Sequence, residues 1–284
     1  MPTFSSYDGT VLSYRLEGTG PLVICVPGGP ARDSRYFGDL GGLSACRTLL
    51  LLDNRGTGES GDAADPSDVE SYRADRLVED VEALRKHLGL ETFDLLGHSA
   101  GAHVSALYAA EYPHRLSSLT LITGGHRAAG TAIDGAAIAH VDTRVGEPWY
   151  AEARPALDQW FAIGRFAPDE LKLKASPFFY GNPWDDVAKA HAESDPSQRR
   201  NPDANANFPY EPDPSITREK LAKVTAPVLV YAGELDPSPR PEEAEKLAAV
   251  FPNARLVVQP NAGHFPWLND PVFFTQALTG EQSR

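Results

Sequence analysis

Gly97-His98-Ser99-Ala100-Gly101 interrupts an alternation of apolar strands and amphipathic helices, and the serine between two glycines decides the reading of the chain. Upstream, Phe93, Leu95 and Leu96 form a short apolar run of strand type. Downstream, Val104, Leu107 and Tyr108 recur at helical spacing. Ser99 therefore stands on a strand-to-helix turn. A sharp bend there brings the turn against its neighbours, so residues 97 and 101 have no room for a side chain. Such a turn lifts a hydroxyl above the sheet, and the start of the following helix turns backbone donors and partial positive charge toward any anion formed beside it. The pattern is that of a nucleophile elbow.

A serine hydroxyl is a weak nucleophile without a base, and the base needs an orienting carboxylate. Two strand ends further on offer both. Val228 to Ala232 runs into Gly233-Glu234-Leu235-Asp236, and Arg255 to Val258 is followed by Asn261-Ala262-Gly263-His264. Both lie at the carboxyl ends of expected parallel strands, where chemistry collects in an open α/β sheet. The order Ser99, Asp236, His264 gives nucleophile, acid and base. Glu234 is the rival acid, but it stands closer to the strand. Among the other histidines, His98 is the variable elbow position and His87 and His114 have polar surroundings. His103 lies one turn into the helix, and His126, His140 and His191 fall in or near the long interval described below.

Acyl transfer also requires donors for an oxyanion. Ala100 follows the nucleophile and supplies one backbone N–H. The second is expected from Val26-Pro27-Gly28-Gly29-Pro30, after the strand Leu22 to Val26; neither proline has an N–H, and Gly29 is the better of the two glycines. Asp53-Asn54-Arg55-Gly56-Thr57-Gly58-Glu59-Ser60 has no lysine at the offset of a phosphate loop and reads as a structural turn with an internal Asp and Arg hydrogen-bond network. No metal-ligand spacing occurs, and neither metal nor cofactor is expected.

The remaining strands are read at Thr3 to Tyr7 and Val11 to Leu16, a hairpin over Asp8-Gly9, and at Thr48 to Asp53 and Leu119 to Thr123. Leu77, Val81, Leu84 and Leu88, and later Ala244, Leu247, Ala248 and Phe251, mark helices between strands. Alternation of this kind implies an α/β class with a mostly parallel, doubly wound sheet. About a hundred residues separate the strand near Thr123 from that near Val228, far more than one crossover needs. Within them, Ala132 to Val145, Pro148 to Phe166 and Pro183 to Glu193 read as helices, and Asp195 to Ser215 as a returning loop rich in Pro, Asn and Asp. The expected organisation is a main domain of residues 1–124 and 226–284 with a helical cap inserted at 125–225.

The 284 residues, 42% hydrophobic and 23% charged, suit one large globular core. A net charge of −13 without a basic run argues against nucleic-acid and anionic-membrane partners. Cys25 and Cys46 read as small buried hydrophobes, fitting a reducing compartment. The start of the chain has Tyr7-Asp8-Gly9-Thr10 where a signal peptide needs an apolar core, and no apolar run reaches membrane-spanning length, so the cytoplasm is expected. No motif encodes an oligomeric state.

These residues together resemble the α/β-hydrolase superfamily, and within it the proline iminopeptidase-like group. Gly28-Gly29-Pro30 resembles the core of that group's H-G-G-P-G motif, and Asp53-x-Arg55-Gly56-x-Gly58-x-Ser60 its D-x-R-G-x-G-x-S motif. Ser99, Asp236 and His264 match its triad. The resemblance implies a serine hydrolase acting on a small-molecule amide or ester. A carboxylesterase, lactonase or thioesterase of small apolar substrates is the alternative, and a ligand receptor on the same fold a third reading. The cap's aromatic residues suggest an apolar pocket. Gly28, Trp149, Trp160, Phe179, Trp184 and Glu234 are the candidates for touching substrate.

Overall fold

A computed structural model describes residues 1–65, 67–133, 136–210 and 212–280. Its eight strands are β1 (Thr3–Ser5), β2 (Val11–Gly18), β3 (Leu22–Val26), β4 (Thr48–Leu52), β5 (Phe93–His98), β6 (Leu116–Ile122), β7 (Val228–Gly233) and β8 (Ala254–Gln259). They form one sheet in the order β1-β2-β4-β3-β5-β6-β7-β8. Only β2 runs against its neighbours β1 and β4; every pairing from β4 to β8 is parallel.

Strand period places alternate residues on opposite faces, and the core divides accordingly. Ile24, Val26, Leu50, Leu52, Leu119, Leu121, Val228 and Val230 join one apolar cluster. Their neighbours Val23, Cys25, Leu49, Leu51, Ile122, Leu229 and Tyr231 join a second. A sheet buried on both sides needs apolar residues at both phases, which is why the central strands read as unbroken apolar runs. Each fully buried Leu, Ile or Val stabilises the fold by about 1.5–3 kcal/mol.

Helix α1 (Ala74–His87) buries Leu77, Val78, Val81 and Leu84, a stripe of one helical face. Helix α2 (Ala100–Glu111) is buried from Gly101 to Ala110 because β5 and β6 cover one side and α1 lies against another. Among the described residues six α-helices intervene between β6 and β7: α3 (Ala136–Asp142), α4 (Tyr150–Ile163), α5 (Asp169–Ala175), α6 (Asp186–Ser194), α7 (Pro202–Ala206) and α8 (Pro214–Leu221). They have a core of their own, in which Leu157, Ala175 and Phe178 are buried. Helices α9 (Pro241–Ala248), α10 (Pro266–Asn269) and α11 (Pro271–Thr279) complete the chain. No helix among the described residues is long and apolar enough to cross a membrane.

Several expectations need correction. The stretch from Asp195 to Ser215 is not a plain loop, since it holds a 3-10 turn (Pro196–Gln198), α7 and the start of α8. Asn201, Pro202, Asp213 and Pro214 mark helix starts. Asn201 Oδ1 accepts from the N–H groups of Asp203 and Ala204, Asp213 caps Ser215, and Pro202 and Pro214 occupy first-turn positions where their missing N–H costs nothing. Of the helix read over Ala132 to Val145, residues 134 and 135 lie outside the described residues, as do the final residues 281–284. Cys25 is buried but Cys46 is exposed, at the end of a short 3-10 turn.

The loop after β4 is also wired differently from expectation, because Asp53 and Arg55 do not pair with each other. Asp53 Oδ1 accepts from Ser34 N–H at 2.9 Å and Ser34 Oγ at 2.7 Å. Arg55, fully buried, donates through Nε to Asp80 Oδ2 at 2.8 Å, through Nη2 to Asp80 Oδ1 at 2.5 Å and through Nη1 to Asp8 Oδ2 at 2.7 Å. The guanidinium thus ties this loop to α1 and to the β1–β2 turn.

Candidate active site

The parallel register brings five strand ends to one edge. Val26 pairs with Gly97, His98 with Ile122, Ile122 with Tyr231, and Gly233 with Gln259. The loops after β3, β5, β6, β7 and β8 therefore leave the sheet side by side. Ser99, immediately after β5, has φ 56° and ψ −118°, a conformation that a non-glycine residue adopts only at a cost on the order of 1–3 kcal/mol. A Cβ on Gly97 would lie 2.4 Å from the Gly101 carbonyl oxygen, and one on Gly101 would lie 2.0 Å from that of Val26. Side chains at either flank are excluded by backbone.

Above that turn, Ser99 Oγ–H donates to His264 Nε2 at 2.8 Å, and His264 Nδ1–H donates to Asp236 Oδ2 at 2.8 Å. Asp236 is wholly buried, and its other oxygen accepts the Ser238 N–H at 3.0 Å. His264 is held from the helical segment as well, its N–H donating to the Phe179 carbonyl at 2.7 Å. Glu234 is elsewhere: it is exposed, and its carboxylate accepts the Asn261 N–H at 2.8 Å.

Ala100 opens α2, where first-turn N–H groups have no intrahelical acceptor. In the loop after β3, the Gly28 N–H is already given to Tyr36 Oη at 2.8 Å, so of the two glycines Gly29 retains the available donor. The loop is clamped by Arg199, which donates to the Gly29 carbonyl at 2.9 Å and the Pro30 carbonyl at 2.5 Å.

Sequence reasoning missed the wiring under the turn. His98 Nε2 must donate to the His264 carbonyl (2.8 Å), since that oxygen only accepts; Nδ1 then accepts from Tyr36 Oη at 2.7 Å. A directional chain thus runs from Gly28 N–H through Tyr36 and His98 to the backbone of His264, linking the loop after β3 to the loop after β8. The only hint in the sequence was period 2, which turns residue 98 away from the face that carries Ser99. His191 repeats the arrangement, with Nδ1 accepting from Tyr180 Oη at 2.6 Å and Nε2–H donating to the Tyr36 carbonyl at 3.1 Å.

These imidazoles are kept neutral. Burial, then the charge of Arg127, lowers His126 to about 3, and burial with Arg32 lowers His191 to about 3. Burial and the neighbouring His264 hold His98 well below 6.5. The unfolded chain therefore takes up protons between pH 6.5 and about 3 that the folded chain refuses, so this stability is present above 6.5 and lost as pH falls. We expect the thermal unfolding midpoint to drop steadily between about pH 7.5 and about pH 5; a midpoint that stays level or rises on acidification would contradict the assignment.

A cavity of about 550 Å³ opens over Ser99 and His264. Gly29, Ala100, Trp160 and Phe179 line it; the rings of Trp160 and Phe179 lie 4.8 Å apart, and that of Phe179 is 6.3 Å from His264. Trp149, Trp184, Gly28 and Glu234, also expected to touch substrate, are not among its lining residues. Trp149 packs edge-on against Phe178 at 4.9 Å beneath the Arg144 guanidinium, inside the helical core, and Trp184 packs on Tyr180 at 5.1 Å. Gly28 lies against the nucleophile turn, where a Cβ would come within 2.6 Å of the His98 carbonyl oxygen and 2.7 Å of Ser99 Cβ. Unforeseen lining residues include His103, His126, Phe208 and Phe265. Among the described residues no cluster of His, Cys, Asp or Glu could hold a metal ion.

With this sheet and this edge on view, the class is defined: residues 21–271 match the family model described as alpha/beta hydrolase fold, and the chain belongs to that family and is a hydrolase. Within it, the chain is similar to the proline iminopeptidase of Saccharolobus solfataricus, 27% identical over 88% of this chain and 81% of the relative. It shares its fold with the proline iminopeptidase of Mycobacterium smegmatis (TM-score 0.72, 22% identity, 98% and 97% of the two chains). An esterase from Exiguobacterium antarcticum superposes equally well, with TM-score 0.72, 19% identity and the same coverage.

Proposed function

We propose that this hydrolase cleaves a small carboxylic ester or lactone through an acyl-enzyme on Ser99, and that residues 125–225 act as the cap that shapes the pocket. The observation that carries the reading is the unbroken Ser99–His264–Asp236 chain at 2.8 Å for each link. His264 Nε2 takes the Ser99 proton as Oγ attacks the acyl carbon; the charge that develops on the carbonyl oxygen is met by the N–H groups of Ala100 and Gly29. His264 then gives its proton to the departing alkoxide. Water, deprotonated by the same nitrogen, releases the acid and restores Ser99. Asp236, dry and directed at Nδ1, keeps Nε2 free as acceptor and stabilises the transient imidazolium.

Ester rather than amine-directed cleavage is favoured by the cavity's carboxylates. An aminopeptidase must offer an available carboxylate to the substrate's ammonium. The two that line this cavity are already paired, Asp195 with Arg199 at 2.6 Å and Asp169 with Lys172 at 3.7 Å. Aminopeptidase action is the second reading, supported by the similarity to proline iminopeptidases. A fluorophosphonate probe should label Ser99, with the adduct located by peptide mass spectrometry. Turnover of 4-nitrophenyl butyrate should exceed that of prolyl 4-nitroanilide, and N-acetylation of an aminoacyl anilide should not slow its cleavage. Absence of labelling overturns the nucleophile, and an anilide cleaved much faster with its amine free than acetylated overturns the ester preference.

A further inference from the structure

We infer that the pocket over Ser99 is built for an ester whose far end carries a carboxylate, an inference that rests on the Ser99 acyl-enzyme reading and adds the substrate's charge. The chain as a whole is acidic, with 39 Asp and Glu against 26 Lys and Arg. The cavity reverses that balance: Arg32, Arg127, Arg165, Lys172 and Arg199 line it against Asp169 and Asp195 alone. A concave site with low-dielectric walls concentrates the field of such an excess, and so concentrates anions from solution.

Pairing removes some of this charge but leaves a remainder. Asp195 receives Arg199 at 2.6 Å and Arg32 at 3.3 Å, and Asp169 faces Lys172 at 3.7 Å. Arg127 and Arg165, both exposed residues of the cavity lining, have no carboxylate partner among the described residues; the Arg165 guanidinium donates to the Ala206 carbonyl at 3.2 Å. Arg127 belongs to the loop after β6, which abuts the nucleophile, since the position of a Cβ on Gly124 would be 2.3 Å from the Ser99 carbonyl oxygen. Arg165 stands in the 3-10 turn that closes α4, the helix that contributes Trp160 to the cavity. Aromatic surface at Phe179, Phe208 and Phe265 gives an apolar part of the substrate its contact. The two unpaired guanidinium groups give an anionic end its charge-assisted hydrogen bonds. A cationic end at the same place meets like charge from Arg127 and Arg165 instead.

The test compares esters that differ only in this charge: 4-nitrophenyl hydrogen adipate with its methyl ester, and 3-butanoyloxybenzoate with its methyl ester, placing the carboxylate on the acyl and the leaving side in turn. For at least one pair, kcat/KM should favour the acid about tenfold or more, mainly through KM. The preference should shrink several-fold between about 20 mM and about 500 mM salt, and invert in Arg127→Glu/Arg165→Glu. Near-ultraviolet circular dichroism checks that this variant is folded, and the wild-type ratio decides the matter without it. A wild-type ratio at or below one for both pairs, or a preference that the folded double variant retains, overturns the inference. Cleavage of all four esters undiminished in Ser99→Ala would instead overturn the acyl-enzyme reading, whatever the charge preference.

Discussion

Ser99→Ala is expected to lower kcat for the preferred ester by about four to six orders of magnitude while the unfolding midpoint moves little. In the proposed mechanism the size follows from the way Ser99, His264 and Asp236 act together. Without Oγ, which now meets His264 Nε2 at 2.8 Å, there is no nucleophile to form the acyl-enzyme and no serine proton for His264 to take. The small residual rate comes from the backbone donors and binding alone. His264→Ala should cost about as much, and the two losses should not add, because either deletion already disables the proton transfer. The midpoint is spared because deleting one oxygen opens no sizeable void, and the φ of 56° at position 99 is imposed by the packed turn in both proteins. Activity of Ser99→Ala within tenfold of wild type, in a preparation shown by mass to be free of wild-type protein, would sink the mechanism.

Asp80→Ala should give the largest loss of stability, about 3–5 kcal/mol, or on the order of 10 °C in the unfolding midpoint. Arg55 is fully buried and Asp80 is 1% exposed. Removing the carboxylate strands a guanidinium whose remaining carboxylate partner among the described residues is Asp8, partly exposed, at 2.7 Å. It also deprives the buried Ser6 hydroxyl of its acceptor. Breaking one half of a buried pair costs far more than replacing both halves with apolar groups of similar volume. The double variant Arg55→Met/Asp80→Leu should therefore recover most of the loss, and denaturant titrations of the two variants measure the difference. A loss below about 1 kcal/mol for Asp80→Ala would mean that the pair is surrounded by water rather than by core.

That pair also shows where local reading stops. Asp53, Arg55 and Ser60 were visible as a patterned turn, and a pairing between Asp53 and Arg55 was the natural guess from two residues' separation. Asp80 is 25 positions away and was invisible as a partner, because an acid on the buried face of a helix carries no mark of the cation that it neutralises. Strands were legible within a few residues at each end because period and composition are local consequences of being buried on two faces. The order of Ser99, Asp236 and His264 was legible because each follows an apolar run that ends in a turn. Their meeting point is a consequence of parallel register, which alternation of strand and helix already implies.

Other features waited for the fold. Trp149, Trp160, Phe179 and Trp184 are equally aromatic in sequence, and only the tertiary packing of the segment places Trp160 and Phe179 on the cavity and Trp149 and Trp184 in apolar contacts elsewhere. The sign of the cavity's charge was likewise unreadable, since a net −13 describes the surface as a whole. By itself the sequence determined the α/β class, the strand positions and the turn that carries Ser99, because these follow from periodicities and steric demands confined to a few adjacent residues. Tertiary structure alone decided which aromatic rings and cations line the cavity over Ser99, how His98 and Tyr36 join two loops, and what neutralises Arg55. Those contacts bridge residues far apart in the chain, such as Arg199 and the Pro30 carbonyl 169 positions apart, and no local pattern records a partner that chain folding supplies.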